Sequence, residues 1–157
     1  MPTLVLARHC HASPHAASDV ERPLTDGGVA ESQRAAAYLA RLPISYLVSS
    51  AAVRAQQTAA PVRAALEEAG RNVDGYTDSA LYHGGVGTWL EAIGTIPADA
   101  AGAYIVGHQP TVSAVVGALS QENGIPDRFS PSTIAVFDLP SWDVPFGEYP
   151  APEIVTF

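Results

Sequence analysis

Thr3-Leu4-Val5-Leu6-Ala7-Arg8-His9-Cys10 is a short apolar run that ends abruptly in an arginine and a histidine. Five apolar or small residues in succession, with β-branched Val5 among them, predict a strand buried on both faces, as in the middle of a parallel sheet. Ligands of open α/β sheets gather outside the carboxyl ends of the strands, so Arg8 and His9 are expected where a substrate waits. The planar fork of an arginine pairs two oxygens at once and keeps its charge, which suits a phosphate or a carboxylate. A histidine at the same place can serve as nucleophile, base or ligand.

Moving outward, the chain alternates helical and strand patterns. Residues 10 to 24 read as a polar loop holding His11 and His15. Thr25 is placed to cap a helix from Asp26 to Arg41, with Val29, Ala36, Ala37 and Ala40 toward the sheet. Ile44 to Val48 is the second strand, ending at Ser49-Ser50. A helix from about Ala52 to Glu68 follows, with Val53, Val62, Ala65 and Leu66 inward and Gly70 closing it. The stretch 71 to 88 is rich in turn formers, with Leu81-Tyr82 a brief strand, and a helix from Val86 to Ile93 carries Trp89 and Leu90. Ala103 to Val106 is a third buried strand ended by Gly107-His108-Gln109-Pro110, and Pro110 opens the helix Thr111 to Leu119. Ile134 to Leu139 is a fourth strand, and Pro152 to Phe157 adds an edge strand. This alternation predicts an α/β fold, a three-layer α/β/α sandwich around a mostly parallel sheet.

Composition bounds what such a fold does. The 157 residues match one ordinary domain, so a single domain over 1-157 is expected. Apolar residues make up 47% and charged residues 15%, the balance of a globular protein. No apolar run reaches the roughly 18 residues of a membrane span, and a cytoplasmic protein without membrane contact is expected. The lone cysteine, Cys10, excludes an internal disulfide. A net charge of −8 argues against general affinity for nucleic acid. The positive charges are all arginine, at 8, 22, 34, 41, 54, 63, 71 and 128. Arginines gathered by the fold of an acidic protein make one local positive well, which captures a small anion without attracting polyanions.

Three strand ends carry matching chemistry: Arg8-His9, Ser49-Ser50 with Arg54 one turn into the next helix, and Gly107-His108. All are expected at one edge of the sheet. Two histidines and two arginines converging on a pocket suit phosphoryl transfer, one imidazole attacking phosphorus while the other groups neutralise the three oxygens. His9-x-His11-x3-His15 has the look of a metal site but offers no second ligand group such as a CxxC, so no metal and no cofactor are expected.

Arg8-His9, the stretch Ser49-Ser50-Ala51-Ala52-Val53-Arg54-Ala55-Gln56-Gln57-Thr58-Ala59, and Gly107-His108-Gln109-Pro110 resemble the core motifs of the histidine phosphatase superfamily, the phosphoglycerate-mutase-like group. The short length, with Ala17-Ser18-Asp19, Arg22-Pro23-Leu24-Thr25, Glu31-Ser32 and Ser132-Thr133-Ile134-Ala135, resembles its SixA-type phosphohistidine phosphatases. The resemblance implies that His9 is the nucleophile, transiently phosphorylated, and that Arg8, Arg54 and His108 form the phosphate pocket. Arg22 is a further candidate for the same phosphate. For attack, His9 needs one ring nitrogen unprotonated, a condition met if a backbone carbonyl holds the other N–H.

Two positions depart from the pattern. The usual glycine after Arg-His is Cys10, read as a buried, inert thiol. No glutamate stands near Leu81-Tyr82-His83-Gly84, where many members carry a proton donor; Asp78, His83 and Glu91 are the nearest titratable alternatives. The functional expectation is a metal-independent phosphatase of phosphohistidine on a partner protein. The alternatives are a phosphatase of small phosphomonoesters such as sugar phosphates, and a non-catalytic phospho-binding module. Short segments between the motifs leave an open site that a protein surface can approach, which favours the first.

Overall fold

The computed structural model describes residues 1–120 and 129–157. Six strands form one sheet in the order β3-β2-β4-β1-β5-β6. They are β1 (Thr3–Arg8), β2 (Tyr46–Ser50), β3 (Asp74–Asp78), β4 (Gly102–Gly107), β5 (Thr133–Asp138) and β6 (Glu153–Thr156). Strands β3, β2, β4 and β1 run parallel, while β5 is antiparallel to both β1 and β6. The helices are α1 (Asp26–Leu39), α2 (Val53–Glu68), α3 (Ala80–His83), α4 (Val86–Gly94) and α5 (Thr111–Leu119). No helix is long and apolar enough to cross a membrane among the described residues.

Alternation along β1 builds the two core layers, because successive side chains leave opposite faces of a strand. Leu4 and Leu6 join Trp89 and Ile93 of α4 and Val112, Val115 and Val116 of α5 on one face. Val5 and Ala7 meet Ala35, Ala36 and Leu39 of α1 and Ala59, Val62 and Leu66 of α2 on the other. The result is the expected three-layer α/β/α sandwich with β1 near its centre. Thr25 caps α1 through its Oγ1, which accepts from Gly28 N at 3.0 Å. Gly70 ends α2 at φ +88°, while Arg71 N donates to the Leu66 carbonyl.

Several local expectations are corrected. Leu81-Tyr82 is helical, in α3, and the missed strand β3 lies just before it. β3 is a sheet edge whose residues are exposed or half-buried, so it lacks the apolar pattern that marks a buried strand. The inward face of α1 is Gly28, Ser32, Ala35, Ala36 and Leu39; Val29 is 42% exposed and Ala37 is exposed. In α2 Val53 and Ala65 are half-buried, and the buried stripe is Arg54, Ala55, Thr58, Ala59, Val62 and Leu66. Both helices are rich in alanine, which is apolar without committing a face, so small residues misplace the stripe by one position. β2 is shifted two residues later than expected and includes Ser49 and Ser50.

Candidate active site

β1, β2 and β4 are neighbouring parallel strands, and their registers place Arg8 beside Gly107 and Ser49 beside Val106. The residues just beyond these ends therefore meet over the carboxyl rim of the sheet. His9 is 8% exposed and follows β1 directly, tied to β4 by its backbone N–H on the Gly107 carbonyl at 3.0 Å. Gly107 itself could carry no side chain, since a Cβ there would lie 2.5 Å from the Trp89 ring. The His9 and His108 rings stand 5.3 Å apart, tilted by 55°.

His9 Nδ1 lies 2.7 Å from the carbonyl oxygen of Cys10, an acceptor only, so this nitrogen carries the proton. Nε2 is left with its lone pair facing Arg54 Nε at 3.4 Å. Burial, reinforced by His108, Arg54 and Arg8 and partly offset by the Cys10 carbonyl, lowers the His9 pKa to about 3. The imidazole is neutral at neutral pH, the state from which an imidazole can attack.

His108 Nε2 lies 2.7 Å from Ser50 Oγ. That hydroxyl already accepts from Ala52 N at 3.3 Å, so its own proton is available for the imidazole. With Ser50 donating, His108 carries its proton on Nδ1. This buried atom has no partner among the described residues, and neither has Arg8 Nε. A buried polar atom left unpaired costs about 1–3 kcal/mol, so both are donors that a bound group carrying acceptors would satisfy. Burial, with Arg54 and Arg8, lowers the His108 pKa to about 4. Neutral His108 therefore acts as a donor without being a cation.

Arg54 is 7% exposed and lies in the first turn of α2, whose N-cap, Ala52, brings no side chain to the free N–H groups. Its neighbours fix it: Thr58 Oγ1 donates to the Arg54 carbonyl at 2.8 Å and accepts from Cys10 N at 3.0 Å, tying α2 to the end of β1. Gln57 Oε1 accepts from Leu24 N at 2.8 Å and holds the 10–24 loop on the same helix. Arg8 Nη1 donates to the Phe129 carbonyl at 2.9 Å, while its Nε is buried without a partner among the described residues. The structure thus brings together Arg8, His9, Arg54 and His108. Arg22 joins them indirectly, donating to the Ser13 carbonyl at 2.7 Å and to Asp19 Oδ1 at 2.8 Å.

Sequence reasoning missed Asp19 and Tyr82 as site residues. Asp19 Oδ2 accepts from Arg54 Nη2 at 3.1 Å and from the Tyr82 hydroxyl. The Tyr82 ring also lies 5.9 Å from the Arg54 guanidinium carbon and edge-on to His108 at 5.6 Å. The Tyr82 bond, with Arg22 and Arg54, holds the Asp19 carboxyl well below its usual range. The signals for Asp19 were its place in the Ala17-Ser18-Asp19 stretch of the resemblance and three residues before Arg22; Tyr82 was hidden by the incorrect strand assignment.

Among the described residues, none of Asp78, His83 and Glu91 makes a hydrogen bond to His9. Asp78 Oδ1 accepts from Ala80 N at 2.8 Å, at the start of α3. His83 and Glu91 are exposed. His11 pairs with Glu31 at 2.6 Å, and among the described residues no three side chains of the His9-x-His11-x3-His15 stretch or elsewhere gather as metal ligands. The Cys10 thiol is buried against Ser132 Oγ at 3.4 Å, and burial pushes its pKa up. A concavity of about 530 Å³ lined by Met1, Pro2, Pro43 and Trp142 opens at the opposite rim, but no histidine or arginine lines it. The chemistry therefore lies where donors converge, away from that open volume.

Comparison with known proteins identifies the family and the fold. The sequence profile of the histidine phosphatase superfamily (branch 1) matches residues 4–89. An uncharacterised protein of Mycobacterium tuberculosis is 31% identical over 140 residues, covering 82% of this chain and 84% of that protein. The structure of the protein histidine phosphatase SixA complexed with tungstate superposes with a TM-score of 0.77 at 27% identity, covering 98% of this chain and 96% of that one. A provisionally assigned phosphohistidine phosphatase SixA from Nakamurella multipartitia gives a TM-score of 0.76 at 29% identity, covering 97% and 95%.

Proposed function

The chain belongs to the histidine phosphatase superfamily, and from that premise we propose that it removes the phosphoryl group from phosphohistidine on a partner protein, through a phosphoenzyme at His9. The observation that carries the reading is the pair of contacts on His9: Nδ1–H on the Cys10 carbonyl at 2.7 Å, Nε2 facing Arg54 at 3.4 Å. The Nε2 lone pair attacks phosphorus as the bond from phosphorus to the substrate's imidazole breaks. His9 becomes an imidazolium, whose Nδ1–H stays on the Cys10 carbonyl while the phosphoryl oxygens take donors from Arg8, Arg54 and His108 Nδ1. Water then attacks phosphorus, the P–N bond to His9 breaks, and neutral His9 and phosphate are released.

Choice of phosphohistidine follows from proton bookkeeping. A substrate imidazole protonated on its other nitrogen departs neutral, and its conjugate acid has a pKa of about 6.5, so no acid is needed. A departing alkoxide needs one, a contribution of roughly 10²–10⁴-fold. Asp19 is held ionised by two arginines and a phenol, and Asp78 is engaged on the Ala80 N–H. Asp19, accepting from three donors, is held as the carboxylate and has no proton to give in this arrangement. Single-turnover rates across aryl phosphates of graded phenol pKa, one alkyl phosphate and a phosphohistidine protein test this. A steep dependence on the leaving group, with phosphohistidine turned over and the alkyl phosphate slow by at least about 10²-fold, is expected. A flat series, or a sugar phosphate as best substrate, overturns the assignment in favour of a small-molecule phosphatase.

A further inference from the structure

Asp19 is the acidic side chain that the ion pairs of the described residues bring onto the arginines of the site. Both of its oxygens are engaged: Oδ1 with Arg22 Nη1 at 2.8 Å, Oδ2 with Arg54 Nη2 at 3.1 Å and with the Tyr82 hydroxyl. Nη2 and Nε share one edge of the Arg54 guanidinium, and Nε faces His9 Nε2 at 3.4 Å. One edge of Arg54 thus meets the nucleophile's lone pair at one corner and a carboxylate oxygen at the other. A phosphoryl group approaching His9 Nε2 needs that edge for its own oxygens, because a fork of two parallel N–H donors is what matches them. Carboxylate and phosphoryl group compete for the same donors, and as like charges they also repel.

The competitor is removable without loosening the arginines. Asp19 is 52% exposed at its side chain, so a rotation about its own bonds carries the carboxylate away. Main-chain contacts stay behind: Arg54 Nη1 on the Asp19 carbonyl at 2.8 Å and Arg22 Nε on the Ser13 carbonyl at 2.7 Å.

We propose that Asp19 is a specificity-determining residue, an internal anion that occupies the Arg54 and Arg22 donors of the free protein so that a lone phosphate is held weakly. A phosphoryl group borne on a larger substrate has contacts outside the pocket with which to displace the carboxylate; released phosphate has none. Tyr82 acts through Asp19, by holding the carboxylate in place. The competition stands on geometry alone, and only the identification of phosphate as product rests on the phosphatase reading.

The test is calorimetric titration of inorganic phosphate, with tungstate as a second probe, into the wild-type protein, Asp19→Ala, Tyr82→Phe and the double variant. Asp19→Ala should bind phosphate roughly tenfold more tightly, the scale of two partly exposed ion pairs and a hydrogen bond removed together. Tyr82→Phe should tighten it by about two- to threefold in the wild-type background and by nothing further in Asp19→Ala, as required of a residue that acts through another. Unchanged or weaker phosphate binding in Asp19→Ala overturns the proposal, because the carboxylate would then be organising the arginines. Turnover of the phosphohistidine protein, run in parallel, separates the two readings. A wild type that does not turn over, with phosphate tightened in Asp19→Ala, defeats the functional assignment alone; turnover with unchanged phosphate affinity defeats this proposal alone.

Discussion

Lowering the pH from 7 to 5 should destabilise this protein sharply, through the two site histidines. His9 and His108 have folded pKa values lowered to about 3 and about 4, burial being the first cause of each. An unfolded imidazole titrates near 6.5. Between these limits the unfolded chain binds protons that the folded one refuses, so stability falls as pH drops below about 6.5. The full contribution is present only above that value. At pH 5 each histidine costs about 1.36 kcal/mol for each of the roughly 1.5 pH units below its unfolded value, or about 2 kcal/mol, and the pair about 4 kcal/mol. Asp19, whose pKa is depressed, adds to the loss only as pH falls through the ordinary carboxylate range, near 4 and lower. A domain has about 5–15 kcal/mol in all, so the effect is large. Urea unfolding at pH 7, 6 and 5, followed by tryptophan fluorescence, should show a loss of about 2–3 kcal/mol per pH unit over the lower interval. His108→Gln should roughly halve that slope. A stability that differs by less than about 1 kcal/mol between pH 7 and 5 would refute the reasoning, since two neutral, buried imidazoles cannot be insensitive to acid.

Two further predictions bear on the donors around the nucleophile. Arg54→Lys keeps the charge, but one ammonium cannot span His9 Nε2 and both Asp19 acceptors, so kcat/KM should fall about tenfold or more; unchanged kinetics would show that charge alone suffices there. Ser50→Ala removes the hydroxyl at 2.7 Å that fixes the His108 tautomer, and should lower kcat by up to about tenfold while nitrogen NMR shows the ring proton spread over both nitrogens. A single Nδ1–H tautomer persisting in that variant would mean that Ser50 has no positioning role.

What the sequence made legible was set by the kind of residue involved. β1 and β4 announced themselves because strands buried on both faces are continuous apolar runs, and each run stopped at a histidine. The ends of those strands then told where Arg8, His9 and His108 would meet, and a spacing of one helical turn placed Arg54. The alanine-rich helices hid their inward faces, since alanine is tolerated on either side. β3 escaped because an edge strand of Asp74, Gly75, Tyr76, Thr77 and Asp78 carries no apolar signature. Asp19 and Tyr82 could not be read for a different reason. They come from a single turn within the 10–24 segment and a one-turn helix, 63 residues apart in sequence, and meet each other and Arg54 only in the folded chain. Such a contact belongs to the tertiary structure, and no local pattern records it.

The central claim is that His9 Nε2 carries the phosphoryl group between the two steps. Rapid quenching during turnover of a labelled phosphohistidine protein, followed by peptide mass spectrometry, tests it most directly. The account predicts one phosphorylated peptide containing His9, with the label lost in acid and retained in base as for a phosphoramidate, and no label and no turnover in His9→Ala. A His9→Ala protein that kept near-full activity, or a label on another residue, would contradict it.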